Sequence, residues 1–406
     1  MKPQLDLTKT YAIVLEGGGA KGSYEIGVWK ALEEMGVKYN AVAGTSVGAL
    51  NGALMAMRDL DSAIEAWSNI RLDKVIDYEE DEEENLKKIV SGDIELGDIS
   101  DVIRQAFGVI RDRGLDVAPL RAWVHEVVDS ARIKSSDVRL FIETVSITDR
   151  KGLEVCVNDL EEEEIYDMLL ASAYHPAFRL EKLGGKLYTD GGFIDNLPIG
   201  ALVDNGYKDI IAVRLPGGMG RERKIQIPED VNVWYIESEA DLGGVLNFVP
   251  EQARRDMAIG YYDAWRDLCG LYGKQYYIER SMSEREAFAQ IVERYWRKTP
   301  DVSLRELCEE ELPRLAKGLE VEGDYYELFI AMLEVAAEER GLEKMRFYTD
   351  TEFLSLIRET QPLKKEEEKA PDGESAPTET DAAAEAAEES APESEPERIE
   401  VLSSCE

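Results

Sequence analysis

Short apolar runs alternate with amphipathic stretches over about residues 11–240. Tyr11-Ala-Ile-Val-Leu15 is apolar throughout and predicts a buried strand. Ser23–Met35 then sets Val28, Leu32 and Met35 on one helical face. Ala41–Ala43 predicts a second short strand, and the small residues of Val47–Met57 a helix. Val138–Ile147 and Leu153–Val157 read as paired strands and Ile165–Ala173 as a helix. Further strands are expected at Lys186–Thr189, Asp209–Leu215 and Val231–Ile236. Buried strands alternating with helices predict an α/β fold with a layered sheet.

Two regions break this rhythm. Residues 60–137 read as a helical insertion whose place in the chain would suit a lid. It contains Glu79-Glu80-Asp81-Glu82-Glu83-Glu84, which lacks the glycine-spaced ligands of an EF-hand loop and reads as a solvated charge run. From Val249 to Ile357 the pattern is helical throughout. Ala287-Phe288, Ile291-Val292 and Tyr295-Trp296 recur at helical spacing, as do Leu328, Met332, Leu333 and Val335. A packed helical bundle closing one side of the sheet is expected there, with a partner-binding or lipid-docking module as the alternative. From Pro362 onward Glu, Ala, Ser and Pro dominate, which predicts a disordered acidic tail. The expected division is 1–248, 249–360 and 361–406.

Composition narrows the function. A net charge of −37 over 406 residues argues against nucleic acid, whose phosphates need clustered Lys and Arg. It also disfavours electrostatic docking on anionic lipid, though lipid entering an apolar cleft and transient contact with a membrane surface stay compatible. Cys156, Cys269, Cys308 and Cys405 are scattered, without a CxxC or Cys/His cluster, so no metal and no cofactor is expected. The residues MKPQLDLTKT show no secretory signal pattern, and no apolar run approaches the roughly 20 residues of a membrane span. A cytoplasmic protein is expected, while leaderless secretion would leave no trace in the sequence.

Three glycine-rich segments carry the candidate chemistry. Gly17-Gly18-Gly19-Ala20-Lys21-Gly22 formally matches a dinucleotide fingerprint, but the acid expected about 20 residues later is missing; that region reads Asn40-Ala-Val-Ala-Gly-Thr-Ser46. The better reading is a loop whose N–H groups near Gly18 to Ala20 face an oxyanion, with Lys21 adding positive charge or simply opening the helix. Gly44-Thr45-Ser46-Val47-Gly48 lies between a strand and a helix, the setting of a nucleophile elbow. Taken alone, Ser46 would pass for a helix N-cap. Asp190-Gly191-Gly192 ends a strand and presents an acid at a crowded turn; taken alone it is an ordinary turn. The chain has two histidines, His125 and His175, both before Asp190, so the Ser–acid–His order of an α/β-hydrolase is impossible with Asp190 as the acid. His125 sits in a helical stretch. His175 precedes Pro176 and is the competing base; otherwise Asp190 takes the proton of Ser46.

At 17–22, 44–48 and 190–192 the chain resembles the patatin-like phospholipase family. Leu115–Arg121 and Ala171–Phe178 resemble further family segments more loosely, and the stretches from Asp241 and Gly260 look like the continuation in bacterial members. The resemblance implies a three-layer α/β/α fold, a Ser46–Asp190 dyad and hydrolysis of acyl esters through an acyl-serine, without a metal. Activities from phospholipase A and lysophospholipase to general esterase fall within it. A transacylase with the same dyad and a non-catalytic lipid- or partner-binding scaffold are the alternatives.

Overall fold

The computed structural model describes residues 1–77, 115–217, 220–299 and 301–362. The Glu79–Glu84 run, the middle of the expected insertion, Cys405 and nearly all of the expected tail lie outside them. The chain forms two compact units, Met1–Tyr277 and a second that begins at Ile278.

The first unit contains β1 (Thr10–Leu15), α1 (Ser23–Met35), β2 (Lys38–Thr45), α2 (Val47–Ala56), α3 (Leu60–Ser68), α4 (Ala118–Val127) and α5 (Ser130–Lys134). It continues with β3 (Arg139–Ser146), β4 (Lys151–Cys156), α6 (Glu162–Ser172), β5 (Tyr188–Asp190), α7 (Ile199–Asp204), β6 (Asp209–Val213), β7 (Asn232–Ile236) and α8 (Pro250–Cys269). Among the described residues, seven strands form one sheet in the order β4-β3-β2-β1-β6-β7, with β5 also paired to β3. The run β3-β2-β1-β6-β7 is parallel, whereas β4 and β5 are antiparallel to β3.

Helices cover both faces, as continuous apolar strands require. Ala12 and Val14 of β1 point to the face where α7 brings Ile199, Ala201 and Leu202. Val42 of β2 points the other way, where α2 approaches so closely that a methyl group at Gly52 would meet Leu140 and Val42. Outside this layer α8 crosses α1. A methyl at Gly27 would sit 1.8 Å from the Met257 carbonyl oxygen, and one at Gly260 2.1 Å from that of Tyr24. The buried Tyr24 hydroxyl donates to Asp263 at 3.2 Å. This close crossing places α8 in the first unit, so the compact unit runs past residue 248.

In the second unit a two-stranded sheet of β8 (Tyr277–Glu279) and β9 (Phe347–Thr349) interrupts the expected run of helices. Its longer helices are α9 (Glu284–Lys298), α10 (Leu312–Gly318), α11 (Tyr325–Glu338) and α12 (Asp350–Glu359). A Ser283–Glu286 capping box starts α9. Tyr326, Leu328, Phe329, Met332 and Leu333 bury the apolar side of α11. No described helix is long and apolar enough to cross a membrane.

Candidate active site

Strands β2 and β5 meet head-on along one flank of β3. Thr45, the last residue of β2, pairs with Glu143, and Asp190, the last of β5, pairs with Thr144. The sheet thus delivers Ser46 and Asp190 to adjoining points although 144 positions separate them in sequence.

Ser46 has φ 55° and ψ −123°, a backbone that a non-glycine residue adopts only when its surroundings enforce it. The enforcement is visible. Ser172 Oγ accepts the Ser46 N–H at 3.0 Å and donates to the Glu143 carbonyl at 2.7 Å. The Ser46 carbonyl accepts the N–H groups of Ala49 and Leu50, starting α2. The turn tolerates no side chain on its two glycines: a methyl at Gly44 would lie 2.3 Å from the Gly48 carbonyl oxygen, and one at Gly48 2.5 Å from that of Leu15. Thr45 and Val47 flank the serine, Thr45 fixed by its hydroxyl on the Asp195 carbonyl at 2.8 Å.

Asp190 is buried. Its N–H donates to the Tyr174 carbonyl at 2.9 Å, and its Oδ1 accepts the Gly192 N–H at 2.8 Å, which folds the Asp190-Gly191-Gly192 turn back onto the carboxyl group. Burial pushes its pKa up to about 6, against the opposing pull of the Gly192 N–H and the nearby Ser46 hydroxyl. The group is therefore ionised at neutral pH and holds a proton in mild acid.

The glycine loop follows β1. Gly17 donates its N–H to the Asn196 carbonyl at 3.1 Å and Ala20 to that of Val245 at 2.8 Å. Gly19 takes φ +58°, with Val245 too close for any side chain. The N–H groups of Gly18 and Gly19 are left without a partner among the described residues, and both glycines border a cavity. The expectation for Ala20 is corrected, because its N–H is taken by Val245. Lys21 is also corrected: its Nζ donates to the Pro216 and Gly217 carbonyls at 2.6 and 3.4 Å, and it does not border the cavity. Burial lowers its pKa. Gly22 likewise stands back, its carbonyl accepting from Asn51 at 2.9 Å.

A cavity of about 370 Å³ opens over these groups. Gly17, Gly18, Gly19, Ser46, Asp190, Gly192 and Asn196 line its polar end, and Leu50, Trp67, Trp123 and Phe248 stand among its apolar walls. Trp67 is the best anchored of these. Its indole N–H donates to Asn51 Oδ1 at 2.9 Å, and Asn51 Nδ2 donates to the buried Glu25 at 2.7 Å. Trp123 meets Trp67 edge-on at 6.4 Å between ring centroids, and Phe248 stacks on it at 6.5 Å.

His175 borders the cavity, but burial depresses its pKa to about 4, and its Nδ1 accepts the Ala177 N–H at 3.2 Å. His125 is exposed and stacks on Tyr166. Burial also raises Glu143, on β3, to about 8 and Asp195 to about 7.

Sequence reasoning missed Asn196 and the indole anchor, and named Ser172 only within a loose resemblance. Asn196 follows the Asp-Gly-Gly turn by a few residues, which is the one local signal it offers.

The geometry can be set beside known proteins. Residues 13–203 match the family model described as Patatin-like phospholipase. Neuropathy target esterase sws of Drosophila melanogaster is 25% identical over 224 residues, 55% of this chain and 14% of that protein. Patatin-like phospholipase domain-containing protein 6 of Homo sapiens is 30% identical over 205 residues, 50% of this chain and 13% of that protein. The crystal structure of VipD from Legionella pneumophila aligns with a TM-score of 0.40 at 14% identity, covering 82% of this chain and 85% of that one. The chain spans about one eighth of the length of these two curated relatives. The family match supports a patatin-like phospholipase domain in this chain.

Proposed function

We propose that this patatin-like domain hydrolyses lipid acyl esters with Ser46 as nucleophile and Asp190 as base. The observation that carries the proposal is the strained Ser46 beside a buried carboxyl group at the polar end of an apolar cavity. Ser46 Oγ attacks the ester carbonyl carbon while its proton passes to Asp190. The N–H groups of Gly18 and Gly19 donate to the oxyanion, a contribution worth ~10²–10³ in rate per donor. The ester C–O bond then breaks, and the leaving alcohol takes the proton from Asp190. Water attacks the acyl-serine, gives a proton to Asp190, and Ser46 leaves with it. The apolar walls suit a fatty acyl chain, which the family match and the names of the relatives also favour.

The test is turnover of p-nitrophenyl esters and of phospholipids by wild type, Ser46→Ala and Asp190→Asn. Each variant is expected to lose activity by about 10³-fold or more, the scale seen when members of a catalytic unit are removed. Activity retained in Ser46→Ala would sink the proposal.

A further inference from the structure

Asn196 is 3% exposed and holds an unusual place in the cavity wall. Its Nδ2 donates to Glu16 Oε1 at 3.1 Å and to the Gly17 carbonyl at 3.0 Å. Both partners are acceptors, so they fix which end of the amide is nitrogen. Oδ1 is turned away from them and has no donor among the described residues. The surrounding glycines locate it. A methyl at Gly192 would lie 2.6 Å from Asn196 Oδ1 and 3.2 Å from Asp190 Oδ1. One at Gly17 would lie 2.3 Å from Asn196 Oδ1 and 3.2 Å from Ser46 Cβ. The Asn196 oxygen therefore sits between the glycine loop and the acid turn, within one water's reach of the Asp190 carboxyl group.

We propose that Asn196 Oδ1 accepts a hydrogen bond from the water that hydrolyses the acyl-serine and so orients it for attack. This rests on the Ser46–Asp190 reading above. In the step, the water oxygen bonds to the acyl carbon. One water proton goes to Asp190 and the other stays on the forming acid, held toward Asn196 Oδ1. The acyl–Oγ bond breaks, and the proton on Asp190 passes to Ser46. Water has two protons to place, and Asp190 takes only one. The first half-reaction brings a serine hydroxyl with a single proton, so the Asn196 acceptor serves the second half-reaction alone.

The test separates the two halves. Rapid mixing with p-nitrophenyl esters gives acylation from the burst and deacylation from the steady state, and the rate of fluorophosphonate labelling reports acylation independently. Asn196→Leu removes acceptor and donor together. Asn196→Asp keeps an acceptor oxygen. Glu16→Ala removes one support of the amide and leaves Oδ1 in place. The expected result is a deacylation-to-acylation ratio about ten-fold lower in Asn196→Leu, with KM falling alongside kcat. The ratio should be close to that of wild type in Asn196→Asp and Glu16→Ala, whatever either does to acylation. Should Asn196→Leu fail to fold, Asn196→Ala reads the same ratio. Equal slowing of both halves, or an unchanged ratio, would overturn the proposal and assign Asn196 to support of the loop. A wild type with neither burst nor labelling would instead overturn the reading of Ser46.

Discussion

Replacing Asp190 by asparagine is expected to stabilise the fold while it removes activity. Asp190 is buried, and its pKa rises from the ordinary 3.8 to about 6. A carboxyl group whose pKa is higher in the folded state favours folding when protonated. That advantage is complete below the unfolded value and is lost as pH rises through the folded one. Above pH 6 the ionised group therefore costs the fold about 3 kcal/mol, from roughly two pKa units at 1.36 kcal/mol each. Asparagine carries no charge, and its Oδ1 can still accept the Gly192 N–H that Asp190 accepts at 2.8 Å. Urea denaturation followed by tryptophan fluorescence should show Asp190→Asn more stable than wild type by about 3 kcal/mol at pH 8, and by about half as much at pH 5. A variant less stable than wild type at pH 8, or a difference independent of pH, would show that burial does not set the state of this acid.

Other expectations follow from the same geometry. Asp190 must be ionised to take a proton, so kcat/KM should fall on the acid side with a midpoint near pH 6. His175, held neutral with a pKa of about 4, should not contribute, and His175→Asn should keep the limb. Ser172→Ala strands the part-buried Ser46 N–H; a loss of about 1 kcal/mol in urea unfolding is expected, with slower fluorophosphonate labelling. Trp67→Ala enlarges the apolar end and frees Asn51 Oδ1. It should cost about 3–5 kcal/mol and shift the chain-length optimum of ester hydrolysis upward, both measurable on one preparation.

The sheet was legible because its central strands β1 and β6 are buried on both faces and stand out as continuous apolar runs. The three glycine segments were legible because backbone meets backbone there, as the positions of Gly44 and Gly48 show. What stayed hidden depends on contacts distant in sequence. Val245 decides that Ala20 has no N–H to offer, and the Pro216 and Gly217 carbonyls bury the Lys21 ammonium. The three-residue β5 acquires its meaning from its place on β3. The reach of the first unit through α8 rests on Gly27 and Gly260 facing across two helices, which neither segment announces alone. Asn196 was silent because its neighbours Glu16 and Gly17 lie about 180 residues earlier.

The proposed chemistry requires Ser46 to be an activated nucleophile. Its most direct test is mass spectrometry of the intact protein and its peptides after reaction with a fluorophosphonate at pH 8. One adduct per chain is expected, on the peptide carrying Ser46, and none in Ser46→Ala. An unmodified wild type, or an adduct that persists in Ser46→Ala, would contradict it.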